Sequence, residues 1–178
     1  SGYEDSNGHE MVTIIQVKDG EQVPQFEPYN SVDVYDIQDP IAITPPPQLG
    51  WYSRLDLDGT FGVNKVVWRN GRLWAVTTIG GRGAQLAQSA AHWWSFSASG
   101  NNSFGLIEQG DIDGEDVASS AWVFYPTIDV DAFDNVAIGF CLSAPTTWVG
   151  AYFAVRRNGD ALFQPTEELA AGLSHFNL

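Results

Sequence analysis

The chain has few positive charges, a single cysteine and no long apolar run. Its 8 Lys and Arg residues face 22 Asp and Glu residues, so the formal net charge is −14. Such a surface repels polyanions, and we therefore expect neither nucleic acid nor an anionic membrane as a partner. Cys141 cannot form a disulfide within the chain, and its apolar neighbours predict a buried strand thiol. The absence of about 18 consecutive apolar residues predicts no membrane span.

Two hairpin-like segments are the clearest pattern in the sequence. Val66–Val76 and Ile128–Ile138 each place β-branched or aromatic residues on both sides of a turn pair. The turn pairs are Asn70-Gly71 and Asp134-Asn135, which are 64 positions apart (134 − 70). Asn, Asp and Gly tolerate the positive φ that tight hairpin turns need. A hairpin unit that recurs at this spacing predicts an all-β fold of propeller-like blades of antiparallel strands.

Other segments extend this prediction. Strands are expected at Met11–Val17, Lys65–Trp68, Arg72–Thr78, Ala90–Phe96, Phe104–Glu108, Tyr125–Val130 and Gly150–Arg156. Val136–Leu142 is almost continuously apolar, which predicts a strand covered on both faces. Glu167–Gly172 favours a short helix. A β-sandwich is the alternative fold, although a sandwich shows cleaner alternation.

The order of several motifs resembles a family of secreted, sialidase-like β-propeller proteins. Trp68–Trp74 matches the family's aromatic-Arg-Asn-Gly-x-Leu-Trp hairpin, and Tyr125–Asp131 matches its Tyr-Pro-x-Ile-x-Val-Asp strand and turn. The remaining matches are Ser89–Trp94, Gln109-Gly110 and Ala151–Arg156. The resemblance covers about residues 31–160. It implies a secreted, extracellular propeller domain.

The resemblance has two departures. The family continues with further blades, whereas this chain holds about three, so we expect a propeller that is incomplete within the chain and is completed by other protein chains. The sialidase aspartate box is missing, and Asp56–Phe61 is only a partial match. We divide the chain into an N-terminal polar segment with the first strand (1–30), the blades (31–160) and a C-terminal extension (161–178).

Candidate chemical residues are few. Sialidase-like hydrolysis needs three converging arginines and a carboxylate pair, and the available arginines lie at turns and strand ends, which favours surface or carboxylate-paired roles. His92 stands in a strand beside two tryptophans, which is typical of a packed or hydrogen-bonded imidazole. We predict no catalytic residue and no cofactor. If a cation binds, Ca²⁺ at the acidic loop of Asp111, Asp113, Glu115 and Asp116 is the first choice.

Two further sites concern glycans. Asn101 begins an Asn-Asn-Ser glycosylation sequon. Trp122 and Trp148 lie beside loop-type residues and are the expected exposed tryptophans for stacking on sugar rings. The sequence therefore predicts a non-enzymatic, extracellular structural or interaction module within a larger assembly. The alternatives are a carbohydrate-binding propeller domain and, second, a glycoside hydrolase fragment.

Overall fold

A computed structural model describes residues 3–4, 10–18, 25–26, 30–34, 45–50, 55, 57, 62–82, 88–99 and 103–175. All regular structure in these ranges is β-strand. The strands are β1 (Tyr3–Glu4), β2 (Glu10–Ile14), β3 (Val17–Lys18), β4 (Gln25–Phe26), β5 (Asn30–Val34), β6 (Val63–Arg69), β7 (Arg72–Arg82), β8 (Gln88–Ser99), β9 (Ser103–Ile112), β10 (Trp122–Val130), β11 (Val136–Ala144), β12 (Thr147–Arg156) and β13 (Glu167–Ala170).

The strands form three main antiparallel sheets and one small hairpin. The N-terminal sheet has the order β1-β2-β5, the central sheet β6-β7-β8-β9 and the C-terminal sheet β10-β11-β12-β13. β3 and β4 pair separately. The central and C-terminal sheets are four-stranded meanders in chain order, which is the strand arrangement of a propeller blade. The all-β prediction is confirmed; a sandwich-like description of the stacked sheets is also compatible with this topology.

The sheets stack through two apolar clusters. One cluster joins the C-terminal sheet to one face of the central sheet and includes Trp74, Trp93, Ile138 and Tyr152. The other joins the N-terminal sheet to the opposite face and includes Ile14, Val32, Ala75, Trp94 and Phe96. The central sheet is therefore covered on both faces. This explains why successive residues of β7 and β8 are buried, from Trp74 to Gly80 and from Gln88 to Phe96.

The prediction that Val136–Leu142 is covered on both faces is wrong at the Ala137 end, whereas at the other end Cys141 packs against Leu55, Leu57 and Phe124. Val136, Ile138 and Phe140 are buried, whereas Ala137 is exposed and Cys141 is half-buried. The strand looks continuously apolar because its alternate residues are small or weakly polar, but only one of its faces packs on the central sheet. The sequence pattern does not distinguish a small residue that is covered from one that is open.

The predicted short helix at Glu167–Gly172 is also wrong. Glu167–Ala170 is an edge strand that pairs with β12, with Phe153 opposite Glu167 and Ala151 opposite Ala170. Backbone pairing to an available sheet edge overrides the helix propensity of two glutamates and two alanines. The segment expected as a C-terminal extension thus contributes a strand to the C-terminal sheet. Likewise, β2 lies within residues 1–30 and pairs with β5, which begins at residue 30.

The two predicted turns differ in length. Asn70 and Gly71 have φ of 48° and 78°, so the two-residue hairpin turn is confirmed. The second turn is a five-residue loop closed by a hydrogen bond from Asp131 N–H to the Asn135 carbonyl oxygen, with Asp134 at φ 64°. In the sequence, Asn7-Gly8 stands between β1 and β2, 63 positions before Asn70-Gly71 (70 − 7). The central and C-terminal sheets therefore repeat one arrangement, a four-stranded meander whose first turn has an Asn or Asp residue at positive φ.

We predict that Asn70 stabilises its turn through both its backbone conformation and its side chain. The Asn70 side chain donates to Asp134 Oδ1 at 2.8 Å and to the Ala132 carbonyl oxygen at 3.3 Å. Asn70→Gly keeps the positive φ and loses these bonds, which we expect to lower the free energy of unfolding by about 0.5–1 kcal/mol. Asn70→Ala adds left-handed strain and should cost about 1–2 kcal/mol. Urea unfolding of both variants measures the difference. Equal losses would show that the positive φ contributes nothing.

Candidate interaction surfaces and buried polar pairs

A buried arginine joins the C-terminal sheet to the central sheet. Arg156 ends β12 and is 8% exposed. Its two terminal nitrogens donate to the two carboxylate oxygens of Glu108 in β9, at 2.8 and 2.7 Å. The guanidinium lies 4.7 Å from the ring centre of Trp93 and 5.7 Å from that of Trp74. This confirms the expected carboxylate-paired role for Arg156.

The planar guanidinium suits this place for two reasons. Its fork matches a carboxylate in a two-point contact, and its faces stack on aromatic rings. Phe163 closes the site with its ring centre 5.5 Å from the guanidinium carbon. A buried charge without such partners would destabilise the fold. The pair therefore fixes one alignment of the two sheets.

A second polar pair, between a buried imidazole and an exposed carboxylate, connects β8 and β9. His92 is 2% exposed, and its Nδ1 lies 2.6 Å from Asp111 Oδ1. The ring also contacts Trp94 edge-on, with 4.6 Å between ring centres. The interpretation of His92 as a packed, hydrogen-bonded histidine is confirmed. Thr77, which is opposite His92 on β7, donates its hydroxyl to the Gly62 carbonyl oxygen at 2.6 Å.

Sequence reasoning missed that Asp111 is the partner of His92. Near the β8–β9 turn, Ser99 is opposite Ser103 and Ser97 is opposite Gly105. Continued without interruption, this register places Gly110 opposite His92. A bulge between Ser95 and Phe96 shifts the pairing by one residue and brings Asp111 opposite His92. The turn position alone therefore gives the wrong partner.

The four carboxylates proposed for Ca²⁺ have separate roles. Asp111 binds His92, and Asp113 accepts from the Glu115 N–H. Glu115 Oε1 accepts from the Gln88 side chain at 2.8 Å and from the Ser120 N–H at 3.1 Å, while Asp116 accepts from the Thr166 N–H at 2.6 Å. These bonds tie the loop to neighbouring segments. Across the described ranges, no three His, Cys, Asp or Glu side chains form a candidate metal site.

The expectation that Trp122 and Trp148 are the exposed tryptophans is wrong. Both are half-buried, whereas Trp68 on β6 is 55% exposed. Trp122 packs beside Leu55 and Leu57, and the Trp148 indole N–H donates to the Leu49 carbonyl oxygen at 3.1 Å. Both indoles thus hold the segment before β6 against the C-terminal sheet. Asn101, the predicted glycosylation residue, lies outside the described residues.

The hairpin turns of neighbouring sheets contact each other. The Asn70 side chain donates to Asp134 Oδ1 at 2.8 Å, and Arg69 Nε donates to the Val130 carbonyl oxygen at 3.2 Å. Within the second loop, the Asn135 side chain donates to Asp131 at 2.8 Å, and this bond lowers the pKa of the Asp131 carboxyl. A shallow groove of about 440 Å³ lies beside this contact.

A larger apolar groove of about 660 Å³ lies between the N-terminal and central sheets. Ile14 and Gln16 line one side, and Val66, Trp68 and Phe96 line the other. The groove opens beside β6, whose residues are mostly exposed. β6 and β13 each stand at one end of the strand order of their sheet, so among the described strands each presents a backbone edge.

Comparisons with known proteins returned no match: no family model, curated protein or solved structure is significantly similar to the chain. The sialidase-like likeness therefore rests on the motifs alone. Within the described residues, no helix has the length and apolar character needed to cross a membrane.

We predict that Arg156 and Glu108 are coupled. Arg156→Met removes both short hydrogen bonds to the half-buried Glu108 carboxylate and leaves it facing the Arg72 guanidinium at 4.0 Å, which should lower the free energy of unfolding by about 2–4 kcal/mol. Glu108→Gln should cost a similar amount, and the double variant should cost clearly less than the sum of the two single variants. Denaturant unfolding of the four proteins gives the coupling. Additive losses would contradict a direct pair.

We predict slow, pH-dependent labelling of Cys141. Burial raises the pKa of its thiol, so the reactive thiolate is scarcer at neutral pH than for an exposed cysteine. Maleimide labelling should be slower in the native chain than in the urea-unfolded chain. The rate should keep rising at a pH where the unfolded chain has levelled off. Identical pH profiles for the two states would contradict this.

Proposed function

We propose that this protein is a non-enzymatic, extracellular structural or interaction module, a segment of a β-propeller that other protein chains complete or cover within a larger assembly. The observation that carries the proposal is the stack of blade-like meanders. The central sheet is covered on both faces, whereas Ala137 on the C-terminal sheet is exposed beside its buried neighbour Ile138. A blade with one open face is suited to receive another sheet.

Exposed sheet edges support the same proposal. β13 is a four-residue edge strand that is exposed throughout, and Leu169 is 72% exposed. β6 presents Val66 and Trp68, which are 50% and 55% exposed. Unpaired N–H and C=O groups on such edges accept strands from a partner. The excess of acidic residues keeps the remaining surface hydrated and resists non-specific association.

Carbohydrate binding is the second candidate, and the exposed indole of Trp68 favours it. This ring lines the apolar groove between the N-terminal and central sheets, where a sugar face could stack on it. Trp122 and Trp148 support sugar binding less than the sequence predicted. The Trp122 indole packs beside Leu55 and Leu57, and the Trp148 indole donates to Leu49. A glycoside hydrolase fragment is the weaker alternative.

The size and composition of the native particle test the proposal. The chain has a mass of 19.5 kDa, and we expect it to elute in a larger particle that contains at least one other polypeptide. Mass photometry and mass spectrometry of the purified particle measure this. A stable monomer would overturn the proposal. Saturable binding of the monomer to a glycan array, lost in Trp68→Ala, would favour the carbohydrate alternative.

A further inference from the structure

The C-terminal sheet has an outer face, opposite the face that packs on the central sheet. Asp129 is directly opposite Ala137, Gly139 is opposite Phe153, and Phe153 is opposite Glu167. Residues directly opposite each other in paired strands share one face. These five residues, with Val155 opposite Ala137, therefore form the outer face.

The middle of the outer face is open. Asp129, Ala137 and Glu167 are exposed, and Phe153 is half-buried. Alternate residues on the same strands, such as Ile138 and Ala154, are fully covered by the central sheet. Side chains here are small, which permits close approach of a second sheet. A Cβ added at Gly139 would meet only the methyl group of Thr127, at 3.3 Å, and the Tyr152 carbonyl oxygen at 3.8 Å.

The outer face of the C-terminal sheet corresponds to the face of the central sheet that packs on the C-terminal sheet. In the central sheet, Ala75 is opposite Trp94, and both face the preceding sheet. In the C-terminal sheet, Ile138 is opposite Ala154, and both face the preceding sheet. Phe153 precedes Ala154 as Trp93 precedes Trp94. Phe153 therefore stands where the central sheet has Trp93, the ring on which Arg156 stacks.

A carboxylate accompanies the ring in both sheets. In the central sheet, Glu108 comes from the strand beside Trp93 and binds Arg156 in a two-point contact. In the C-terminal sheet, Glu167 comes from the strand beside Phe153 and is exposed. Asp129 adds a second negative charge to the outer face. This combination of ring and carboxylate has the chemistry that holds a guanidinium group at the first interface.

We propose that the outer face of the C-terminal sheet binds a β-sheet of another polypeptide, which places aliphatic side chains over Ala137 and Gly139 and an arginine between Phe153 and Glu167. The proposal rests on the proposed function and names its surface and its partner chemistry. It repeats at a second interface the contact observed at Arg156, in the same alternation of side chains.

A second copy of the chain is a poor occupant. The N-terminal sheet turns Val12, Ile14 and Val32 towards the central sheet, which leaves Met11, Thr13, Ser31 and Asp33 on its other face. That face would set Asp33 against the acidic outer face. Stacking two outer faces would bring together the Glu167 and Asp129 side chains of both copies. Like charges on directly apposed faces disfavour both arrangements.

Footprinting of the native particle against the isolated chain tests the surface. Hydroxyl-radical oxidation of Phe153 should fall at least about fivefold in the particle, because a stacked arginine and its sheet exclude solvent. Oxidation of Phe133, which is 76% exposed in the loop between β10 and β11, serves as the internal reference, since this residue lies outside the outer face and outside both sheet edges.

Charge variants test the arginine. Glu167→Arg should weaken retention of the co-purifying polypeptide by about tenfold or more, and Glu167→Gln by less, since like charges repel and a neutral amide only loses the pair. Glu168→Arg is the matched control, because Glu168 is opposite Tyr152, on the face towards the central sheet. Burial raises the pKa of the Tyr152 hydroxyl, and the nearby Glu168 charge raises it further. The control variant should change retention less than about twofold.

The outcomes separate the two proposals. Protection of Phe153 together with loss of the partner in Glu167→Arg, but not in Glu168→Arg, supports the docking surface. A larger particle in which Phe153 is oxidised as fast as in the isolated chain overturns this inference and leaves the proposed function standing. A 19.5 kDa monomer overturns the proposed function and, with it, this surface.

Discussion

The contact of Arg156 with Glu108 and two tryptophan rings sets how the two larger sheets sit on each other. A guanidinium at 8% exposure destabilises the fold unless its donors and faces find partners. Glu108 supplies two acceptors, and Trp93 supplies the stacking surface. Because apolar packing is non-directional, it would tolerate sliding of one sheet over the other. The ion pair does not, since both hydrogen bonds are lost when either sheet shifts by one residue.

The turns reinforce this alignment at the same end of the sheets, because Arg156 is opposite Val136, the first residue after the second loop. Asn70 donates to Asp134, its counterpart in the next repeat, and Asn135 accepts from the N–H of Asn158 in the turn that follows. Asn70 and Asn135 thus each belong to one turn and also form a hydrogen bond with the neighbouring turn. The residues needed for positive φ in a tight turn are also good hydrogen-bonding side chains, so one sequence feature serves both purposes. What the stack leaves open are its edges and the outer face around Phe153.

Local chemistry was sufficient for the hairpins and insufficient for burial. Asn70-Gly71 between β-branched runs predicted β6 and β7 correctly, because turn geometry is decided by the turn residues themselves. Glu167–Ala170 became a strand because an edge of β12 was available for pairing, and nothing within those four residues records that edge. Trp68 is exposed and Trp122 is half-buried for a similar reason. Exposure depends on which segment covers a side chain, here the one that contains Leu55 and Leu57.

The sequence by itself determined that the chain is all-β, where its best hairpins turn, and that its surface is acidic, because φ preferences, side-chain alternation and charge are properties of neighbouring residues. Only the tertiary structure decided the partners of the buried Arg156 and His92 side chains. Arg156 meets Glu108 across 48 positions of sequence, and His92 meets Asp111 only because a one-residue bulge shifts their strands. Such contacts depend on the register and stacking of whole sheets, which are set by the summed packing of many distant residues and are not written in any short segment.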